Sequence, residues 1–204
     1  MPSAHTWINV FGVVILLAVA APTGHAESKK LPKDWNTARN SQFGFDFSYP
    51  AQWVQVIPLT LNSRAKIESP KGTPWAQCSF IVQKHPDGQI RSKAEVLSRL
   101  KQTTFTSDDW REALSANYSV GAIHRVAKST LSGQPAYSAV VELGMRESTK
   151  IGRAYARYYI TATSQYIWTI GCGGLGTNAV EAKNSFTYWD KTFQKIMSSV
   201  TFRY

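Results

Sequence analysis

The chain has 204 residues, with 23 Lys and Arg against 13 Asp and Glu, a formal net charge of +10 and two cysteines. That length suits one domain with a full hydrophobic core and leaves no room for two ordinary ones. The charge favours attraction to polyanions or anionic membrane surfaces without naming the partner.

Val10 to Ala21 (VFGVVILLAVAA) is an uncharged apolar run followed by Pro22-Thr23-Gly24-His25-Ala26. This predicts a secretory signal peptide over residues 1–26, cut between Ala26 and Glu27, with small side chains where the peptidase needs them. The run falls short of the roughly 20 apolar residues a spanning helix requires, so no transmembrane segment is expected after cleavage. Glu27 to Gln42 (ESKKLPKDWNTARNSQ) is polar, Lys-rich and without periodicity, and reads as a flexible leader. From residue 43 onward a single domain is expected.

Phe43, Phe45, Phe47 and Tyr49 alternate with Gly44, Asp46 and Ser48, the period of a half-buried strand that ends at Pro50. Stacking platforms for nucleic acids carry basic neighbours, and this strand has only Asp46, so the rings are assigned to the core. A loop from Pro70 to Pro74 leads to a strand over Trp75 to Gln83 and a turn at His85-Pro86-Asp87-Gly88, with His85 as a turn residue. Ser92-x-x-Glu95 has capping-box spacing ahead of Val96, Leu97 and Leu100, and Ser107-Asp108-Asp109-Trp110 marks a second helix start. Asp108 and Asp109 suit a helix amino terminus rather than catalysis.

Tyr118 to Trp168 reads as successive antiparallel strands, with turns at Ser132-Gly133-Gln134-Pro135, Ser148-Thr149-Lys150 and Thr163-Ser164. His124 is a strand histidine with no triad partner in sequence. No C-x-x-C occurs and no His, Asp or Glu cluster has ligand spacing, so no catalytic residue, metal or cofactor is expected. Gly171-Cys172-Gly173-Gly174-Leu175-Gly176 matches the dinucleotide-binding pattern G-x-G-x-x-G. The strands before it look antiparallel and the chain ends about 28 residues later, so the glycines are read as a flexible exit from a strand. Phe186, Trp189, Phe193, Ile196 and Met197 form one helical stripe for packing on a sheet, and Ser198 to Tyr204 alternates like a short last strand.

Cys78 and Cys172 form an even pair in a chain bound for an oxidising compartment, and a disulfide between them is predicted. Together these elements give an α+β class in which helices cover an antiparallel sheet.

FGFDFSYPAQW, Leu131-Ser132-Gly133-Gln134-Pro135-Ala136-Tyr137 and the closing SSVTFRY resemble corresponding elements of the PsbP-like family, named for an extrinsic subunit of photosystem II. The resemblance spans residues 43–204. It implies an α/β/α sandwich around an antiparallel sheet, used for protein binding or assembly without catalysis. No functional residue of that family has a counterpart here, so no photosynthetic role follows.

The expected function is that of a secreted or periplasmic accessory protein that binds a protein partner or an anionic envelope component. Its candidate surface is Arg146, Lys150, Arg153 and Arg157, around one predicted hairpin and opposed only by Glu147; Arg153 and Arg157 share a strand face because their separation is even. Two other readings stay open. An envelope hydrolase needs a nucleophile and base the sequence does not show, and a nucleic-acid binder predicts affinity that falls steeply with salt.

Overall fold

The computed structural model describes residues 33–58, 62–116, 118–145 and 152–203. The signal-peptide and cleavage assignments, the turn at Ser148-Thr149-Lys150 and two of the four candidate surface residues, Arg146 and Lys150, lie outside them.

In chain order the elements are β1 (Trp35–Asn40), β2 (Phe45–Pro50), β3 (Val54–Gln55), β4 (Ser63–Glu68), β5 (Ala76–Lys84), α1 (Lys93–Gln102), α2 (Ser107–Ser115), β6 (Tyr118–Leu131), β7 (Gln134–Met145), β8 (Arg153–Ala162), β9 (Tyr166–Gly176), α3 (Ala179–Ser199) and β10 (Thr201–Phe202). Seven strands form one antiparallel sheet in the order β3-β4-β5-β9-β8-β7-β6, and β1-β2-β10 form a second, small one. α3 and the small sheet cover one face of the large sheet, while α1 and α2 cover the other. The α+β sandwich expected from the sequence is therefore the architecture observed.

The alternation in β2 does what its period dictates. Phe45 and Phe47 are 0% and 1% exposed, and each contacts Phe80 of β5, at ring separations of 5.7 and 4.0 Å. Burying each such ring contributes about 2–3 kcal/mol. From the other side, the α3 stripe of Phe186, Trp189, Phe193, Ile196 and Met197 is buried in the same cluster. A second core lies beneath α1 and α2, where Val96, Leu100, Trp110 and Leu114 meet Tyr137, Val141 and Tyr158. The Tyr137 hydroxyl donates to the carbonyl of Leu100, tying α1 to β7.

Four local readings are corrected. Residues 35–40, assigned to a leader, form strand β1, paired in register from Trp35↔Pro50 to Asn40↔Phe45. Its ladder bonds come from β2 rather than from its own apolar pattern, since only Trp35 and Ala38 pack on the core. The second helix is capped by Thr106, one residue earlier than read: Thr106 and Asp109 exchange hydrogen bonds in a complete capping box. At α1 only half of the expected box forms, because Ser92 accepts from the Glu95 N–H while the Glu95 carboxylate turns to Arg99, 2.9 Å away.

The glycine run is the fourth correction. Gly171 to Gly176 are not a flexible exit; they lie within β9, hydrogen-bonded to β5 on one side and β8 on the other. Backbone groups engaged in two ladders cannot cradle a phosphate. The glycines are needed for close approach instead. A Cβ on Gly174 would stand 2.1 Å from the Phe186 backbone nitrogen, and one on Gly176 2.5 Å from the Glu181 Cβ, so their absence lets α3 lie directly on the strand. On the opposite face the Tyr158 ring covers Gly171, where a Cβ would meet it at 2.3 Å. Cys78 and Cys172 are directly opposite residues of β5 and β9, and their sulfurs are 1.97 Å apart as a disulfide.

Candidate functional site

Of the predicted basic surface, β8 carries the two described members. Arg153 and Arg157 sit on the α3 side of the strand, alternating with the buried Ala154 and Ala156 of the other face. They differ in what they do. Arg157 is half-buried: its Nη1 donates to Asp190 Oδ1 of α3 at 3.1 Å, and its guanidinium lies 5.5 Å from the Phe186 ring centroid. Gln194 donates to the other Asp190 oxygen at 2.8 Å, which fixes the carboxylate. Arg157 is thus an inter-element tie, and its charge is largely compensated.

Arg153 is exposed and makes no ion pair among the described residues. Its guanidinium lies along Gly144 of β7, where a Cβ would come within 3.3 Å. Between the two arginines stands Tyr155, with three neighbours: Phe186 edge-on at 5.2 Å, the Lys183 ammonium 6.0 Å above the ring, and the His124 imidazole stacked at 6.0 Å. His124 Nε2 is 3.0 Å from Glu142 Oε1 on the neighbouring strand. The face therefore joins residues from β6, β7, β8 and α3: His124, Glu142, Arg153, Tyr155, Arg157 and Lys183.

Sequence reasoning found the arginines because an even spacing fixes their face. It missed Lys183 and Asp190, which arrive on α3, and Glu142, whose partner His124 depends on the register of β6. That register shifts twice, between Val120 and Ile123 and between His124 and Ala127, with Arg125 at φ +48° in the second interval. The hairpin was read as basic and opposed only by Glu147; in the fold Glu142 and Asp190 also oppose it.

Neither described histidine bonds to a Ser, Thr or Cys side chain. His124 faces a carboxylate, and His85 Nε2 donates to the Thr163 carbonyl at 2.9 Å. His85 is not merely a turn residue, since it is 3% exposed beneath the turn it belongs to. Both cysteines are tied in the disulfide. Among the described residues no group of three or more His, Cys, Asp or Glu could hold a metal ion, and no helix is long and apolar enough to cross a membrane.

No protein-family model and no curated protein matches the chain. Among solved structures it is similar to the solution structure of cyanobacterial PsbP (CyanoP) from Synechocystis sp. PCC 6803, at 13% identity and a TM-score of 0.52, covering 90% of this chain and all of that one. Two others align less well. LpqN, involved in cell envelope biogenesis of Mycobacterium tuberculosis, matches at 12% identity and a TM-score of 0.44 over 83% of this chain and 91% of its own. A protein from Bacteroides thetaiotaomicron VPI-5482 matches at 11% and 0.39 over 78% and 45%. The strand order, the helix-covered sheet and the alignment over the whole of CyanoP together show that the chain has the PsbP-like fold that its aromatic first motif resembles.

Proposed function

We propose that the protein is an exported, non-catalytic accessory protein that binds a protein partner or an anionic envelope component across the α3 side of β7 and β8. One observation carries this reading. On that face Arg157 is ion-paired with Asp190 and His124 is hydrogen-bonded to Glu142, while Arg153 and Lys183 stand outward as exposed cations beside Tyr155. Such a face offers charge and a ring to a surface, with no nucleophile and base aligned for turnover. Arg146 and Lys150 lie between β7 and β8 in the sequence and add two positive charges to that segment. Export is supported by the amino-terminal apolar run and by the disulfide, which persists in oxidising compartments.

The test places a photo-crosslinker at residue 155 of the exported protein and compares the wild type with Arg153→Glu/Lys183→Glu. The expected result is one dominant adduct in the cell envelope, reduced about tenfold by the double reversal. Capture unaffected by the reversal, or accumulation of the protein in the cytoplasm, overturns the reading. Titration against duplex DNA at two salt concentrations separates the polyanion alternative, which requires a steep loss of affinity with salt.

A further inference from the structure

The opposite flank of α3 carries a separate feature. Glu181, Asn184 and Tyr188 recur at helical spacing and line one side of an open cleft of about 550 Å3, whose other side is Pro74 and Trp75 at the entry to β5. Lys183 and Asp190 project from the other flank of the buried stripe, so this cleft is distinct from the surface described above. Its walls are fixed. The Leu175 N–H donates to the Trp75 carbonyl at 2.8 Å, and the Trp189 indole N–H donates to the Pro74 carbonyl at 2.7 Å.

The surface here is unusual for a soluble face. Trp75 and Tyr188 are 36% and 63% exposed, two of the few large apolar side chains open to water, and they border the same cleft. The polar groups beside them are Asn184, exposed and with no hydrogen-bond partner among the described residues, and Glu181. Thr177 donates both its hydroxyl and its backbone N–H to Glu181 Oε2, at 2.6 and 2.8 Å, which holds the carboxyl below its ordinary range and fixes its direction.

The chemistry of the ligand follows by exclusion. An anion is opposed by the Glu181 carboxylate, the only charged group among the described residues that line the cleft. A compact organic cation would use the rings and the carboxylate, but it leaves the Asn184 amide idle and fills little of the volume. A pyranose with equatorial substituents uses every group. Its apolar C–H face lies on an aromatic ring, and its vicinal hydroxyls meet the paired donor and acceptor of an amide and the free lone pairs of a carboxylate.

We infer that this cleft binds a neutral oligosaccharide of gluco-configured pyranose rings, with Trp75 and Tyr188 as stacking walls and Asn184 and Glu181 as hydroxyl partners. A site of this volume holds about two such rings. The inference does not rest on the binding surface proposed above. In the assay the full exported chain is titrated with chitotriose and with cellotriose, following the Trp75 indole N–H and the Asn184 side-chain amide by NMR. The expected result is saturable shifts confined to the cleft, with the dissociation constant raised about tenfold in Asn184→Ala and in Tyr188→Ala.

Both residues are exposed, so these variants keep the fold, which the unperturbed remainder of the spectrum verifies. Absence of shifts with either sugar at about 10 mM, or wild-type affinity in both variants, overturns the inference. So does saturation of the same signals by choline chloride instead. Arg153→Glu/Lys183→Glu should leave the sugar titration unchanged, and Tyr188→Ala should leave the envelope adduct unchanged, so each reading can fail alone.

Discussion

His85 shows how much a single side chain can couple to conditions. It is buried beneath its own turn, its Nε2 donates to Thr163, and the charged groups facing it are Arg91 and Arg99 from the α1 side and Asp87 from the turn. Burial, with the nearby Arg91 guanidinium, holds its pKa below the ordinary 6.5 despite the favourable carbonyl contact. In the unfolded chain the imidazole takes up its proton first on acidification. Between 6.5 and the lowered folded value the unfolded state therefore binds more protons, and stability falls as pH falls. Urea unfolding at pH 7.5 and pH 5 should show this loss, and His85→Gln should flatten it. An unchanged slope in His85→Gln would assign the acid sensitivity to another group. The sequence placed His85 in a turn, which it occupies; its burial was not legible because the covering segment, Thr163 to Gln165, comes from another turn 78 residues away.

At the scale of elements, the contact between β9 and α3 is the most demanding in the fold. Gly174 lies where the α3 backbone passes, at the level of Ala182, Ser185 and Phe186. Gly174→Ala should destabilise by about 3 kcal/mol, because neither a helix backbone nor a central strand can yield by the distance required. Chemical denaturation checks this, with Gly72→Ala as the comparison in an open turn where no atom lies within 4 Å and only the φ of +84° is strained.

The same interface explains what could and could not be read from the chain. β2 and α3 were legible because their signals are local: a ring at every second residue, and apolar residues at three- and four-residue steps. The role of the glycines was not, since what they make room for is a helix packed across the strand, and local pattern matching turned a packing requirement into a loop. β1 was hidden for the converse reason, as its partner supplies the order and its own residues supply little. For the candidate surface, even spacing gave the face shared by Arg153 and Arg157. The compensation of Arg157 by Asp190, 33 residues further on, could only appear once α3 was in place.

For the whole molecule, the disulfide joins the central strand of the large sheet, β9, to its neighbour β5 and closes 94 residues that include α1, α2 and β6 to β8. Closing so long a loop restricts the unfolded chain far more than the folded one, and the chain-entropy argument assigns it roughly 4–5 kcal/mol. Reduction, or Cys78→Ser/Cys172→Ser, should lower the denaturant midpoint by the equivalent amount while leaving the native far-ultraviolet spectrum intact in the absence of denaturant. A variant pair as stable as the wild type would show that the bridge adds nothing beyond the packing of two buried side chains. Both cysteines are buried in the core on the α3 side of the sheet, so the cross-link lies within that core rather than between the two.

The outer strands of that sheet have a consequence for how the protein can meet others. One border is β3, two residues long; the other is β6, interrupted by two extra-residue kinks and carrying Lys128 and Arg125 outward. Neither offers a straight row of free amides and carbonyls to an incoming chain, so strand-by-strand addition of neighbouring copies is disfavoured at both borders of the large sheet.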